Sequence, residues 1–287
     1  MDNNNSNKTK TFVYLGPQGS YTEMAADIAT QKLGYKNYAS IIEPSIIKVI
    51  QTIDKNMNFI GIVPVENSIE GIVRETVDNL IKTESEVFIT GEIIVPVSHC
   101  LISRSKDISK ITKVMSITQA LAQCRNFLAD NLSDVEQITT TSTSVAVKQL
   151  IDLPDNYAAI GSCKASQVYG LNVIAENIND IQDNFTRFVI LDSYIPEATG
   201  NDKTSIAFST CNESGALVNV LDVFKRNNIN LSYIESRPSQ KVFGEYNFFV
   251  DFEGHINDDK IKAVIKEISQ KIRFYRFLGS YAAAKMV

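Results

Sequence analysis

The sequence predicts an α/β domain followed by a smaller α+β domain, and three observations carry that prediction. Through the first two thirds of the chain, short apolar runs alternate with stretches of helical periodicity. Around Pro196 to Lys203 the composition shifts, with Pro196, Gly200, Asn201 and Asp202 clustered as in a linker. Beyond that point the elements follow the order βαββαβ, which fits a small α+β sandwich.

Each element has its own signal. Phe12–Leu15 is strand-like and runs into the turn Gly16-Pro17-Gln18-Gly19, then a helix. Phe59–Val65 is a second strand, followed by a loop and a helix to about Ile81. Strands are expected near Val87–Val97 and over Lys113–Ile117, with a helix over Leu121–Leu128. Tyr157–Gly161 is a strand that leads into a helix ending near Tyr169-Gly170. This rhythm predicts largely parallel sheets. After the linker, Thr204–Ser209 is strand-like, and Leu217, Val220, Leu221 and Phe224 share one helix face. Ile229–Glu235 and Tyr246–Phe252 are strands, Asp258–Arg273 is an amphipathic helix, and Tyr275–Leu278 is a short closing strand.

Composition excludes several classes. The net charge is -5 over 287 residues and nowhere gathers into a basic stripe, which argues against a nucleic-acid partner. No run of apolar residues is long enough to span a membrane. Residues 1–10 are polar and Asn-rich, lack the apolar core of a signal peptide, and are expected to form a disordered tail. Cys100, Cys124, Cys163 and Cys211 are scattered, so buried thiols in a cytoplasmic protein are expected rather than a disulfide framework. With only His99 and His255, no metal-ligand cluster is apparent. His99 is expected to be a satisfied interior histidine, and His255 to face solvent.

The most informative segment is Asn184-Phe185-Thr186-Arg187-Phe188. A hydroxyl sits beside a guanidinium between aromatic rings, and the apolar run Phe188–Leu191 continues as a buried strand. Hydrogen bonds gain strength where rings and a strand exclude water. The alternative is that Thr186 caps or bonds the backbone. Ser20 with Glu23 forms a capping box after the Gly16–Gly19 turn, and a helix N-terminus presents free N–H groups to an anion. Asn67 and Ser68, in Glu66-Asn67-Ser68-Ile69-Glu70-Gly71, follow a strand where ligands bind in open α/β sheets, or serve as a turn and cap. Thr139–Ser144 precedes a helix that one of its hydroxyls must cap, and Thr143 is placed toward a cleft. In the C-terminal part, Gly215-Ala216-Leu217 opens a helix and Glu235-Ser236-Arg237-Pro238 ends a strand. Together they could receive the carboxylate and ammonium of an amino acid.

These segments, in this order, resemble bacterial prephenate dehydratases with a C-terminal ACT domain. That family carries a GPxG(T/S)(F/Y) segment, matched by Gly16–Tyr21, and a VPVENSxxGxVxxxxDxL segment, matched by Val63–Leu80. Its TRF segment is matched by Thr186–Phe188, and its GAL and ESRP segments by Gly215–Leu217 and Glu235–Pro238. The resemblance covers roughly residues 11–282. It implies a catalytic domain over 11–196 similar to type II periplasmic binding proteins, a linker at 197–203 and an ACT domain over 204–282. One lobe would lie near 11–86 plus about 175–195, and the other near 87–174.

The resemblance further implies conversion of prephenate to phenylpyruvate with no cofactor or metal, in homodimers or homotetramers inhibited by L-phenylalanine. Thr186 would assist the leaving hydroxide rather than act as a nucleophile, because no base accompanies it. Ser20, Asn67, Ser68, Thr143, Arg187 and Phe188 would bind substrate, with Arg187 left open between carboxylate binding and a structural ion pair. Phenylalanine would sit between Gly215-Ala216-Leu217 and Glu235-Ser236-Arg237. Two rival readings are an arogenate dehydratase and a non-catalytic amino-acid sensor. One departure stands out: the family commonly has His-Pro-Gln-Ala-Leu where this chain has Ile117-Thr118-Gln119-Ala120-Leu121, so no role of that histidine carries over.

Overall fold

The computed structural model describes residues 10–56, 58–239 and 244–284. Of the expected tail, only Lys10 is among them, and it already opens the first strand. The chain begins with β1 (Lys10–Leu15), α1 (Tyr21–Lys32), β2 (Tyr38–Glu43), α2 (Ile46–Asp54), β3 (Phe59–Asn67), β4 (Gly71–Ile72), α3 (Arg74–Lys82) and β5 (Phe88–Pro96). It then crosses to a second lobe with β6 (Cys100–Ser103), β7 (Lys113–Ser116), α4 (Thr118–Gln123), α5 (Arg125–Asn131) and β8 (Glu136–Thr139). That lobe continues with α6 (Thr143–Gln149), β9 (Tyr157–Gly161), α7 (Cys163–Tyr169) and β10 (Asn172–Ala175). β11 (Phe185–Asp192) returns to the first sheet, whose order is β2-β1-β3-β11-β5 with β4 on β3. The second sheet has the order β10-β6-β9-β7-β8. Two sheets joined by two crossovers give the two-lobed periplasmic-binding-protein-like architecture.

Strand direction departs from expectation. β1 is parallel to β2 and β3, but β11 is antiparallel to β3 and β5. In the second lobe β7 is parallel to β8 and β9, while β6 is antiparallel to β9 and β10. The sheets are therefore mixed. β11 arrives from the other lobe, so no short βαβ crossover dictates its direction. β5, expected to open the second lobe, instead pairs with β11 in the first sheet. The helix expected over Leu121–Leu128 is two helices that meet at Cys124, where φ -120 and ψ 22 leave the helical region.

The C-terminal domain has the predicted order: β12 (Asp202–Thr210), α8 (Ala216–Arg226), β13 (Leu231–Pro238), β14 (Tyr246–Glu253), α9 (Asp259–Ile268) and β15 (Ile272–Ala282). Its sheet runs β13-β14-β12-β15. The closing strand spans 11 residues rather than a short segment, and α9 ends at Ile268. Ile272 lies one helical turn beyond Ile268, which prolongs the apparent apolar stripe.

The layers follow from strand alternation. On one face of the C-terminal sheet, Phe208, Val250 and Phe252 pack under α8 and α9 with Val220, Phe224 and Val264. On the other, Ala207, Phe249, Leu278 and Tyr281 join Val13, Val63, Ile89, Val189 and Leu191 in one core shared with the first lobe. β15 lies so close to β5 that a Cβ on Gly279 would overlap the carbonyl oxygen of Ile89. The opposite face of the first sheet packs Phe12, Tyr14, Ile62, Phe188 and Ile190 against Ala25, Ala26 and Ala29 of α1. β11 is thus read alternately, Phe188 and Ile190 toward α1, Val189 and Leu191 toward the C-terminal domain.

Two side-chain expectations are overturned. Cys100 and Cys163 form a disulfide between β6 and α7, with Cα atoms 5.7 Å apart. Their 63-residue separation hides a proximity created by sheet order, which sets β6 beside β9, the strand leading into α7. Cys124 and Cys211 are free. His255 is fully buried rather than solvent-facing. Its Nδ1 accepts from Asn257 N (3.1 Å), which leaves Nε2–H to donate to Pro196 O (3.0 Å) in the linker.

Candidate active site

β3 and β11 end together, with Asn67 opposite Thr186 and Glu66 opposite Arg187. Asn67 organises this end. Its Oδ1 accepts the backbone N–H groups of Ile69 (3.0 Å) and Glu70 (2.9 Å). Backbone N–H groups only donate, so they fix which end of the amide is oxygen. The Nδ2 group therefore faces β11, where Asn184 Oδ1 (2.8 Å), Thr186 Oγ1 (2.9 Å) and Phe185 O (3.1 Å) accept from it. Because Thr186 Oγ1 accepts from Asn67, its own proton is directed to a different acceptor. Ser68 staples the strand start: its N–H donates to Phe185 O (2.8 Å) and its Oγ accepts from Phe185 N (2.9 Å).

The second lobe closes on the same point. Gln123 of α4 donates through Nε2 to Glu70 Oε1 (3.0 Å), so its Oε1 faces Asn184 Nδ2 (3.1 Å) and His99 Nε2 (3.1 Å). That orientation assigns the proton of His99 to Nε2 and leaves Nδ1 as an acceptor, 3.2 Å from the Tyr21 hydroxyl. Burial pushes the His99 pKa below its usual value and keeps it neutral, the satisfied interior histidine expected from sequence. Burial likewise holds the Tyr21 phenol protonated, and its hydroxyl lies 2.6 Å from Ser98 O.

The Gly16–Gly19 turn is where α1 meets the second lobe. Ser20 caps α1, accepting Glu23 N (3.2 Å), while Glu23 Oε2 accepts Gly19 N (2.6 Å). The capping box exists, with the carboxylate reaching the residue before the cap. Gly19 has φ +77, and a Cβ there would press on the Ala165 backbone of α7 at 2.6 Å. Ser162 Oγ donates to Gly19 O (2.6 Å) and Tyr169 Oη to Gln18 O (3.0 Å). Thr143 is the first residue of α6, and Ser142 is the hydroxyl that caps it, accepting Val145 N (3.0 Å).

Two candidate residues turn away from the cleft. Phe188 is buried under α1 and cannot form a cleft wall. Arg187 points to the opposite face, into the domain interface. Its Nη1 lies 2.7 Å from Asp251 Oδ2 of β14 and 3.2 Å from Glu92 Oε2 of β5, and its Nε lies 3.1 Å from Glu66 Oε2. Burial opposes the guanidinium charge, but Asp251 and the other carboxylates outweigh it and raise the pKa. Of the two roles left open, the structure gives Arg187 the ion pair. Asn184, Gln123, Glu70 and Tyr21 join the site without having been singled out. Asn184 lay within the informative segment, but nothing local marks Gln123, which arrives from the other lobe.

In the C-terminal domain, Gly215 (φ 82) opens α8 without a side-chain cap. With Ala216, Leu217, Cys211 and Tyr246 it lines a cleft of about 200 Å³. Glu235, Ser236 and Arg237 do not line that cleft. Arg237 makes two 2.9 Å bonds to the Asp78 carboxylate of α3 instead, because strand alternation turns it toward the first lobe.

Comparison with known proteins agrees with this architecture. Residues 12–194 match the family model for prephenate dehydratase, and residues 205–270 match the ACT domain. A bifunctional chorismate mutase/prephenate dehydratase of Aquifex aeolicus is 42% identical over 274 residues, covering 94% of this chain and 73% of that protein. A prephenate dehydratase of Methanocaldococcus jannaschii is 37% identical over 285 residues, covering 95% of this chain and 98% of its relative. The crystal structure of prephenate dehydratase from Arthrobacter aurescens in complex with L-Phe superposes with a TM-score of 0.85 at 31% identity, over 95% of this chain and 90% of that one. The match runs through both domains and shows that the chain belongs to the prephenate dehydratase family and carries an ACT domain.

Proposed function

We propose that this chain converts prephenate to phenylpyruvate with Thr186 hydrogen-bonding the departing ring hydroxyl. In that reaction the bond from the ring to its carboxylate breaks and its electron pair enters the ring. Hydroxide leaves the opposite ring carbon, and one proton turns it into water. Prephenate dianion and a proton thus give phenylpyruvate, carbon dioxide and water. Aromatisation drives the step, so the protein needs only to ease hydroxide departure and hold the ring carboxylate poised. The observation that carries this reading is the 2.9 Å bond from Asn67 Nδ2 to Thr186 Oγ1, which frees the hydroxyl proton for a substrate oxygen. A threonine hydroxyl is too weak an acid to release its proton outright. Its hydrogen bond strengthens as charge grows on the leaving oxygen.

Recognition of the dianion falls to neutral donors, Ser20 and the α1 N-terminus, Ser68 and Thr143, with Phe185 as an apolar wall. Asn67, whose amide hydrogens are taken by Asn184, Phe185 and Thr186, orients Thr186 rather than binding substrate. A plant relative named arogenate dehydratase/prephenate dehydratase 2, from Arabidopsis thaliana, is 32% identical over 280 residues, so arogenate is the second substrate to test.

Phenylalanine bound at Gly215-Ala216-Leu217 of one copy, against Glu235-Ser236 of another, would restrain the enzyme. β13 is the edge strand of its sheet and exposes Ile234, and Val218 and Tyr246 of the same domain are also exposed, which supports pairing of two copies as a homodimer or within a homotetramer. Among the described residues no helix is long and apolar enough to cross a membrane. We place the enzyme in the cytoplasm, where the Cys100–Cys163 pair would be kept reduced. The test is incubation with prephenate or arogenate, following phenylpyruvate or phenylalanine, with and without millimolar phenylalanine. No turnover of either substrate overturns the catalytic reading and favours a cleft that only senses amino acids.

A further inference from the structure

Arg187 is a buried cation that the chemistry does not use, and its surroundings give it a purpose. Its Nε lies 3.1 Å from Glu66 Oε2 of β3, a charge contact without hydrogen-bond geometry. Arg187 is next to Thr186 of β11, and Glu66 is next to Asn67. Thr186 is therefore next to Arg187 itself, and Asn67 is next to a carboxylate that Arg187 contacts. The register between β3 and β11 shifts between Arg187 and Phe188, so these end rungs are set off from the regular ladder behind them.

The other end of the grip belongs to the ACT domain. Asp251 of β14 is fully buried, takes Arg187 Nη1 at 2.7 Å, and is backed by Ser205 Oγ at 2.6 Å, itself 2.8 Å from the Tyr281 hydroxyl. Lys203 of β12 and the backbone N–H of Ala284 hold Glu92 at 3.0 and 2.8 Å. The Tyr233 ring of β13 lies 5.7 Å from the guanidinium carbon. Tyr233 pairs with Asp251 across the sheet and stands two residues before Glu235. The strand that carries Glu235-Ser236-Arg237 thus touches Arg187 directly through Tyr233 and once more through β14. Burying such a cluster rarely adds stability over apolar residues of the same volume, whereas charges fix one arrangement sharply.

We infer that Asp251 is a positioning residue for the dehydration: through Arg187 it sets the Asn67–Thr186 pair and carries the phenylalanine response from the ACT sheet to the cleft. The inference rests on the catalytic and regulatory reading above. The charges facing Arg187 are Glu66, Glu92 and Asp251; only Asp251 belongs to the ACT sheet, which also reaches Glu92 through Lys203. A strut that moves by fractions of an ångström would change the aim of Thr186 while leaving substrate contacts with neutral donors in place.

The test uses the full chain. Asp251→Asn should lower kcat about tenfold with KM within twofold, and should raise the phenylalanine concentration for half-inhibition at least fivefold. Tyr233→Leu keeps every ion pair and guards against a misfolded first variant. It should leave kcat within twofold and still shift half-inhibition at least threefold. If both folded variants keep wild-type kcat and inhibition while only their melting temperature falls, the cluster is scaffold and the inference is overturned. An Asp251→Asn effect on KM alone would also overturn it. If the wild-type chain fails to turn over prephenate or arogenate, the function itself falls. If it turns over substrate but ignores phenylalanine, only the regulatory part fails, and the kcat of Asp251→Asn decides the positioning role.

Discussion

Replacing Thr186 by valine keeps the shape of the side chain and removes only the hydroxyl. The structure separates its two consequences. Asn67 Nδ2 has two hydrogens and three acceptors, so after the change Asn184 Oδ1 at 2.8 Å and Phe185 O at 3.1 Å still satisfy it. No buried donor is orphaned, and the stability cost should be that of one ordinary hydrogen bond, about 1 kcal/mol. The catalytic cost should be much larger. A positioned proton donor contributes roughly 10²–10⁴-fold, equivalent to about 2.7–5.4 kcal/mol of barrier. The expected result is a kcat for phenylpyruvate formation lower by at least a hundredfold, a KM within about threefold, and a melting temperature within a few degrees of wild type. Thr186→Ser should recover most of the activity, since it restores the hydroxyl. A valine variant with kcat within threefold of wild type refutes the role given to Thr186. A loss confined to KM would make Thr186 a binding group instead.

Four further outcomes are expected. Under oxidising conditions the unfolded chain should show two reactive thiols, from Cys124 and Cys211, and four after reduction; four without reductant would refute the Cys100–Cys163 bond. Closing a loop of this size stabilises by about 4 kcal/mol in the chain-entropy model, so Cys163→Ser should lower the melting temperature of the oxidised protein by several degrees. Gly279→Ala drives a methyl group into the Ile89 carbonyl at a φ of +151 and should cost about 1–3 kcal/mol or more; an unchanged melting temperature would contradict the close approach of β15 to β5. Glu92 is buried, which alone would raise its pKa, but Lys203, the Ala284 N–H and Arg187 together hold it below the ordinary 4.5. With the folded value below the unfolded one, its stabilisation is full above about pH 4.5 and is lost as pH falls toward the folded value. Thermal melts between pH 7 and 3 should show that loss, and Glu92→Gln should flatten it.

Much of the fold was legible because local signals and tertiary roles agree. The Ser20–Glu23 capping box starts α1 where expected, and the apolar stripe of Leu217, Val220 and Phe224 gives α8 its buried face. The order βαββαβ appears as written in the alternating patterns. Thr186 and Asn67, chosen from separate motifs, are bonded to one another. Other choices failed for a common reason. Apolar runs say that a strand is buried but not which way it points, so the antiparallel entry of β11 was invisible. Gln123 and the Cys100–Cys163 pair depend on where a second lobe closes, which no local pattern encodes.

The division is sharpest on β11 itself. The sequence alone determined that Thr186, Arg187 and Phe188 begin a buried strand, and it left Arg187 open between carboxylate binding and an ion pair. Only the tertiary structure decided what lies on each side. α1 covers Phe188, Asn67 bonds Thr186, and Asp251, 64 residues away, meets Arg187. A charge in a protein interior is defined by its partners, and those partners come together only when the ACT sheet packs on the first lobe.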